Sequence, residues 1–600
     1  MPKKNKQKNL PYYKIGLISV YLILGSLSIL KKSASFDEIA HLSNGIVYHK
    51  TKVFGSGPHH PPLLRLIAGF SSYFSKVEIP PTDEITAEKQ QNAISWSPPV
   101  DFIYGHNLFY KMHNRTGLLF FLGRFFILLL GIPLAVVLSK WAENLYGTGA
   151  SIIPLTLFCL SPNILAHART ITTDFGSVSL TVIAAFFLWR FTNSLKLKDM
   201  ILSSALWGIT LSGKHTALFY FAVFHLSAFF LCRRKRNFII LNFLQIPILI
   251  FVINSCYFFT EPVCRNFFQP NELTALPWIF RPLFAFFSKI SCLPRMYLKG
   301  ILISFIHSRN GHSAYLLGQY STQGWWYYYP VAFIVKSTFA SILAVTVSIM
   351  SIAKKKITRG ELFYLSPAIL FALFMMNSNL NIGIRHILIL WPFAFLFAGR
   401  TLKVIPGKFI KIIVILAAVE NLLIFPHYIS QFCILSGGAK SGYKYLGDSN
   451  LDWGQDLKIL SEWWKKEGQP PLVLSYFGTS DPFYYGLKFQ NCLSFTIPAI
   501  ENKTINPKNP KREFLAASVT NLQGIYFRQK DIFSYFLQKK PYKRCGYSIH
   551  IYDITRDAYA HITLGAIYHS MKNSAAAERH FEKALKIDPA TSRLIRKLSS

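Results

Sequence analysis

The feature that most constrains this chain is a series of apolar runs, each approaching the ~20 residues a helix needs to cross a bilayer. Hydrocarbon offers no water to peptide groups, so such runs fold as helices. They lie near residues 15–30, 117–138, 149–166, 174–193, 199–212, 215–231, 237–258, 330–352, 361–377, 384–399 and 409–426, about eleven spans. Hydrophobic residues make up 51% of the chain and mean hydropathy is +0.29, so the composition agrees with a polytopic α-helical membrane protein. The net charge of +37 reads as cytoplasmic anchoring loops and contact with anionic lipid rather than nucleic-acid binding. Lys3, Lys4, Lys6, Lys8 and Lys14 precede "IGLISVYLILGSLSIL" with no small-residue cleavage site after it, which reads as an uncleaved signal anchor behind a basic tail at 1–14.

With that tail in the cytoplasm, even-numbered spans exit at "SLKLKD" (194–199), "CRRKRN" (232–237), "AKKKITRG" (353–360) and "GRTLKVIPGK" (399–408), the short basic loops that the positive-inside rule places inside. The outer face then holds loops at about 32–115 and 259–329 and everything after about 427. "SGKHT" (212–216) interrupts the pair at 199–231; were that pair one helix, the carboxy terminus would move to the cytoplasm. There is no C-x-x-C pair; a Cys264–Cys292 disulfide is open but not indicated.

The polar clusters collect on the outer side: "FDEIAH" (36–41), "GPHHPP" (57–62), "HARTITTD" (167–174), "GKHT" (213–216), "GQYSTQGWW" (318–326), "NSNLNIGIRH" (377–386) and "GDSNLDWGQD" (447–456). Ionisable groups at a membrane boundary are costly unless paired or hydrated, so a shared site is expected, with interfacial anchoring the plain alternative for each cluster. Asp37, Glu38 and Asp174 supply carboxylates; Lys214, Lys336 and Arg385, with His59, His60 and His386, supply groups suited to phosphate. A carboxylate can take the proton of an attacking hydroxyl, and Lys and Arg can stabilise a departing phosphate. The aromatics of "GWWYYYP" (324–330) read either as an interfacial belt or as the lining of a sugar or isoprenoid groove.

An Asp-Glu pair after the first span, "HPPL" (60–63), Arg169 with Thr172, Thr173 and Asp174, Gly213 with Lys214, and "GIRH" (383–386) together resemble the protein O-mannosyltransferase family, in its bacterial branch of dolichyl- or undecaprenyl-phosphate-sugar-dependent glycosyltransferases. "YLGDSNLDWGQDLKILSEWW" and "LSYFGTSDPFYYG" extend the similarity from about residue 15 to about 490. The resemblance implies a GT-C fold over 15–430 and a mannosyltransferase-like enzyme of the cytoplasmic (inner) membrane. It assigns the catalytic base to Asp37, with Glu38 as its neighbour and orienting group. It also implies substrate contacts for His59, His60, Arg169, Asp174, Lys214, Lys336, Arg385 and His386, the lipid phosphate falling to Arg385, Lys214 and Lys336; for Lys214, snorkelling to the interface is the alternative. The partners implied are a polyprenyl-phosphate sugar and a protein or envelope glycan acceptor. No cofactor is required and no metal ligands are expected, since no compact Asp-x-Asp pair occurs and the basic residues could neutralise the phosphate; a divalent cation stays open as an alternative.

From about 427 the composition turns polar. "PLVLSYFG" (471–478) and "REFLAASVT" (512–520) read as strands and "WGQDLKILSEWWKKEG" (453–468) as an amphipathic helix, which predicts an extracytoplasmic α/β domain over 431–556. Asn450, Asp452 and Asp456 are candidate acceptor contacts, with a helix amino-terminal cap followed by a first-turn acid the preferred reading of Asn450 or Asp452. Starting a 34-residue frame at Ala558 puts Leu564, Gly565, Tyr568, Ala577, Phe581, Ala584 and Pro589 in the tetratricopeptide pattern, with His561 in place of the usual Trp, over 558–591. One repeat cannot bury its own apolar face, so this hairpin is expected to pack on the preceding domain or on a protein partner. The rival readings are a membrane transporter and a non-catalytic envelope assembly scaffold; polar clusters at one boundary, with large outer loops, favour the enzyme over the transporter.

Overall fold

The computed structural model describes residues 10–82, 99–261, 274, 276, 278, 281–290 and 292–599. Cys264 lies outside them, so the Cys264–Cys292 pairing does too, as do the lysines of the basic tail before residue 10. Among the described residues five helices are long and apolar enough to cross a membrane: Tyr12–Lys31, Thr116–Tyr146, Thr173–Ser194, Lys235–Cys256 and Arg359–Met376. A sixth results if Tyr328–Lys336 and Phe339–Ala353, bent by 111°, count as one span. The expected spans at 149–166, 199–212, 215–231, 384–399 and 409–426 coincide with helices that are shorter or, for Gly407–Ile424, carry Lys408, Lys411 and Glu420. Leu197–Leu211 has 15 residues, about 22 Å, against ~30 Å of hydrocarbon. By length and composition alone the described residues therefore supply five spans, or six with the bent pair, and the eleven expected are not confirmed.

The breaks have local causes. Ser161 Oγ accepts the Ile164 N–H and Pro162 starts the next helix, dividing Ile152–Leu160 from Pro162–Ala168. At the 111° bend, Thr338 Oγ1 caps the Ser341 N–H and the Glu420 carboxylate accepts the N–H groups of Phe339 and Ala340 at 2.7 and 3.0 Å. The helices Glu38–Thr51 and Leu63–Gly69 cross at glycines: a Cβ on Gly45 would lie 2.0 Å from the Arg65 carbonyl oxygen, and one on Gly69 2.3 Å from Gly45. That contact fixes the helix that Asp37 begins.

The later chain builds a five-stranded sheet in the order Gln490–Asn491, Leu472–Ser475, Phe514–Ser518, Ile549–Asp553, Lys543–Cys545, the first three parallel and the rest antiparallel. Alternate residues take opposite faces. Leu472, Leu474, Phe514, Ala516, Ile549 and Ile551 pack with Leu457, Leu460, Trp463 and Trp464 of the helix Leu457–Lys466. Val473, Leu515, Ala517 and Tyr552 pack with Leu564, Ile567, Tyr568 and Phe581 of the helical hairpin Ala558–Ser570 and Ser574–Ile587. The hairpin thus buries its apolar face on the preceding sheet. Gly565 is required at its crossing, because a Cβ there would meet the Phe581 ring at 2.4 Å.

Asn450 and Asp452 are not caps. The helix starts at Leu457 with Asp456 before it; Asn450 Oδ1 accepts the Ile384 N–H, and Asp452 accepts the N–H groups of Thr520 and Gly454. Packing does not stop at residue 430 either, since Leu446, Leu451 and Trp453 belong to the main helical core. Residues 32–36 are stitched to 453–457: Ser33 N–H donates to Gln455 O at 3.0 Å, Phe36 N–H to Trp453 O at 2.8 Å, Leu457 N–H to Ser33 Oγ at 3.0 Å, and Lys32 forms a buried ion pair with Asp456.

Candidate active site

Asp37 occupies the N-cap position of Glu38–Thr51 but its side chain caps nothing. It pairs instead with Arg385 Nη1 at 2.5 Å. Arg385 stands on the turn Ile384–Ile387, lies 4.5 Å from the Trp453 ring, and reaches Asp174 at 4.0 Å. Asp174, in the first turn of Thr173–Ser194, takes Lys214 at 2.5 Å. Four distant segments therefore meet as an alternating row, Lys214, Asp174, Arg385, Asp37. The Asp37 side chain keeps 23% of its exposure, so it is not sealed from solvent. Burial pushes the Asp37 carboxyl above its ordinary range against the pull of Arg385, with Asp174 and Asp448 adding to the rise.

The histidines flank this row. The rings of His59 and His60 are 4.7 Å apart, those of His60 and His41 5.2 Å, and His60 Nδ1 lies 3.5 Å from Thr173 Oγ1. Burial, then neighbouring positive groups, hold His41, His59 and His60 well below the usual imidazole range, so they are neutral rings with N–H groups to donate. His386 Nε2 is buried without a hydrogen-bond partner among the described residues.

Three expected site residues stand elsewhere. Glu38 follows Asp37 in sequence but points away, as residues about 100° apart on a helix do. Its carboxylate takes Arg124 Nε and Nη2 at 2.8 and 2.7 Å and the N–H groups of Ser35 and Ile171 at 2.7 and 2.8 Å. Burial raises it, but these partners hold it below its ordinary range. Glu38 is thus not the group that orients Asp37; Arg385 is. Lys336 donates to the carbonyls of Ile429 and Asn450 at 2.8 and 2.6 Å and lies over the Phe432 ring, a strut beneath residue 450 instead of an arm into the row. Arg169 is 1% exposed, its three guanidinium nitrogens have no hydrogen-bond partner among the described residues, and it faces Arg124, Glu38 and Asp456.

Sequence reasoning missed Arg124, Trp453 and His41. Arg124 carried a signal, as a charge inside an otherwise apolar run. Of the aromatic stretch, Trp326 is 65% exposed while Tyr328 and Tyr329 are buried against Asn450 and Leu380. No group of three or more His, Cys, Asp or Glu side chains among the described residues is placed to hold a metal ion.

A tetratricopeptide repeat family model matches residues 558–590. No curated protein matches the sequence. Among solved structures the chain is similar to ArnT from Cupriavidus metallidurans bound to undecaprenyl phosphate, at 12% identity and a TM-score of 0.45, covering 90% of this chain and 97% of that one. It is also similar to the apo state of that protein, at 11% identity, a TM-score of 0.44 and the same coverage. Likenesses this distant assign no residue a role.

Proposed function

We propose that this protein is a membrane glycosyltransferase that moves a sugar from a polyprenyl-phosphate donor to an acceptor hydroxyl at the outer face of the cytoplasmic membrane. The observation that carries this reading is Asp37, a partly exposed residue just past the first apolar helix, joined through Arg385 to the Asp174–Lys214 pair. Asp37 takes the acceptor's hydroxyl proton as the acceptor oxygen bonds to the anomeric carbon. The bond from that carbon to the phosphate oxygen breaks, its electrons leave with the polyprenyl phosphate, and the centre inverts. Lys214 with the N–H groups of His60 and His386 meets the phosphate charge, and Arg385 can pass from Asp37 towards it. Glu38 and Arg124 act beneath this as the mount that fixes where the Asp37 helix begins.

The acceptor is a protein or envelope glycan hydroxyl, and the sugar is mannose or a related hexose. The reading is tested with the full chain in lipid nanodiscs, labelled undecaprenyl-phosphate hexoses and a cell-envelope extract. Wild type moves label into an acceptor and Asp37→Asn, equally abundant and equally folded, does not. If wild type moves no label with any donor, the reading is withdrawn.

A further inference from the structure

The sheet-bearing part of the chain supplies a turn that reaches the row of charges. In residues 447–450, Asp448 has φ +52°, a left-handed conformation that Asp tolerates better than most residues. The turn is clamped to the one that carries Arg385. Ser449 Oγ donates to Ile382 O at 2.6 Å, Ile384 N–H donates to Asn450 Oδ1 at 3.0 Å, and a Cβ on Gly383 would lie 2.2 Å from Ser449 Oγ. Lys336 and Tyr328 brace Asn450 from below. The Asp448 turn and the Arg385 turn therefore shift together or not at all.

The Asp448 carboxylate is 8% exposed and makes no ion pair within 4.0 Å among the described residues. Its Oδ2 accepts the Tyr526 hydroxyl and its Oδ1 accepts the Ser449 N–H. Tyr526 stacks on Phe477 and Phe495 with centroids 5.6 and 4.5 Å away, and both stack on Phe36, the residue before Asp37. Arg385 thus faces three carboxylates: Asp37 holds it, Asp174 reaches it, and the charge of Asp448, carried on the turn clamped to its own, acts on it from beyond 4.0 Å.

Resting on the glycosyltransferase reading, we propose that Asp448 and Tyr526 are positioning residues of the same site: Asp448 competes with Asp37 for Arg385, and the Tyr526 hydroxyl moderates that competition by occupying Asp448. Asp37, the base, then retains enough affinity for a proton to accept one from a hydroxyl. The two residues predict opposite effects. Removing the Asp448 charge lets Arg385 settle on Asp37, which becomes harder to protonate. Removing the Tyr526 hydroxyl leaves Asp448 a stronger rival, draws Arg385 away, and makes Asp37 easier to protonate. The groups that face these carboxylates are Arg385, Asp174 and Tyr328, with Lys214, His307 and His386 around Arg385 and Asp174. All are unchanged in both variants.

The test is an infrared titration of ¹³C-aspartate-labelled full-length protein in nanodiscs, with the Asp37 band identified by its loss in Asp37→Asn. Asp448→Asn is expected to lower the Asp37 midpoint by about one pH unit, and Tyr526→Phe, which keeps the ring stack, to raise it. In the transfer assay with labelled undecaprenyl-phosphate hexoses, the acid limb of the pH–rate profile moves the same way. Midpoints that stay put, or that move in one direction in both variants, overturn the proposal. If Asp448→Asn does not fold, the rise or its absence in Tyr526→Phe decides alone. Opposed midpoint shifts in a protein that moves no label would sink the glycosyltransferase reading and leave the charge coupling standing.

Discussion

At the scale of single residues, two adjacent carboxylates take unrelated tasks because of what each faces. Asp37 keeps some exposure and a partner that can leave; Glu38 is sealed against Arg124. Breaking a buried pair by removing one member leaves the other charge uncompensated, at a cost of about 3–5 kcal/mol. Arg124→Met is therefore expected to lower the melting temperature and abundance sharply, while Asp37→Asn abolishes transfer with the melting temperature nearly intact; a melting temperature in Arg124→Met equal to wild type would refute the division. A second residue has a pH signature. Burial pushes Asp452 up to about 8, against the pull of the Thr520 and Gly454 N–H groups. Folded protein therefore binds a proton that the unfolded chain releases near 4, so this contribution is fully present below about 4 and is lost as pH rises through 8. The melting temperature of wild type minus that of Asp452→Asn, which cancels the histidines titrating in the same window, should therefore fall as pH rises from 4 to 8. The sequence made Asp37, Asp174, Lys214 and Arg385 legible because ionisable groups at the ends of apolar runs demand partners. It could not separate Asp37 from Glu38, since which of two neighbours faces a distant Arg depends on a helix rotation set by segments far away.

At the scale of elements, the helical hairpin was the most legible, because its spacing encodes its own packing: Gly565 under Phe581 is a local necessity. What the pattern did not foresee is the polar seam where it docks. His561, standing where the repeat usually has Trp, sits 2.9 Å from His580 between their Nδ1 atoms; Glu513 takes Lys583 at 2.6 Å beside them, and Gln490 contacts His580 at 3.2 Å. Burial, then Lys583, lowers His561 to about 4, and burial with His561 holds His580 well below the imidazole range. Both bind fewer protons folded than unfolded, so the stability they lend is complete above about 6.5 and lost as pH falls towards 4. Hydrogen-exchange protection factors over 558–587, taken against the intrinsic rate at each pH, should fall between pH 7 and 4.5 before those of the strand Phe514–Ser518, and His580→Gln should shrink the acid effect; protection factors unchanged between the two pH values would contradict it. The helix Glu38–Thr51 shows the opposite case, an element whose tight crossing was invisible in its own sequence. Gly45→Ala would force it from Arg65, at about 1–3 kcal/mol, and lower transfer by moving Asp37.

At the scale of the whole molecule, the chain has two ends a bilayer apart. Thr173–Ser194 starts at Asp174 in the site and ends near Arg190 and Asp199; its 22 residues span about 33 Å. The far end gathers Lys14 with Glu143, Tyr146 with Tyr364, and Arg400 with Glu361, where the basic loops expected inside also lie. The span count is harder to read from sequence, because bends capped by Ser161 or Thr338 turn apolar runs into short helices whose crossing length cannot be judged from hydropathy. The side shared by the site and the later chain does not depend on that count. Residues 33–36 hydrogen-bond directly to 453–457, so whichever face holds Asp37 holds the sheet as well. This makes topology decisive with few probes. Lys440→Cys, exposed near the sheet, should react with a membrane-impermeant maleimide in intact spheroplasts; Lys196→Cys and Lys355→Cys, exposed at the far end, should react only after permeabilisation. The seven described native cysteines are free thiols, so the parent protein is labelled alongside as the background. The inverse pattern would place Asp37 and its row of charges in the cytosol, and with them any sugar transfer.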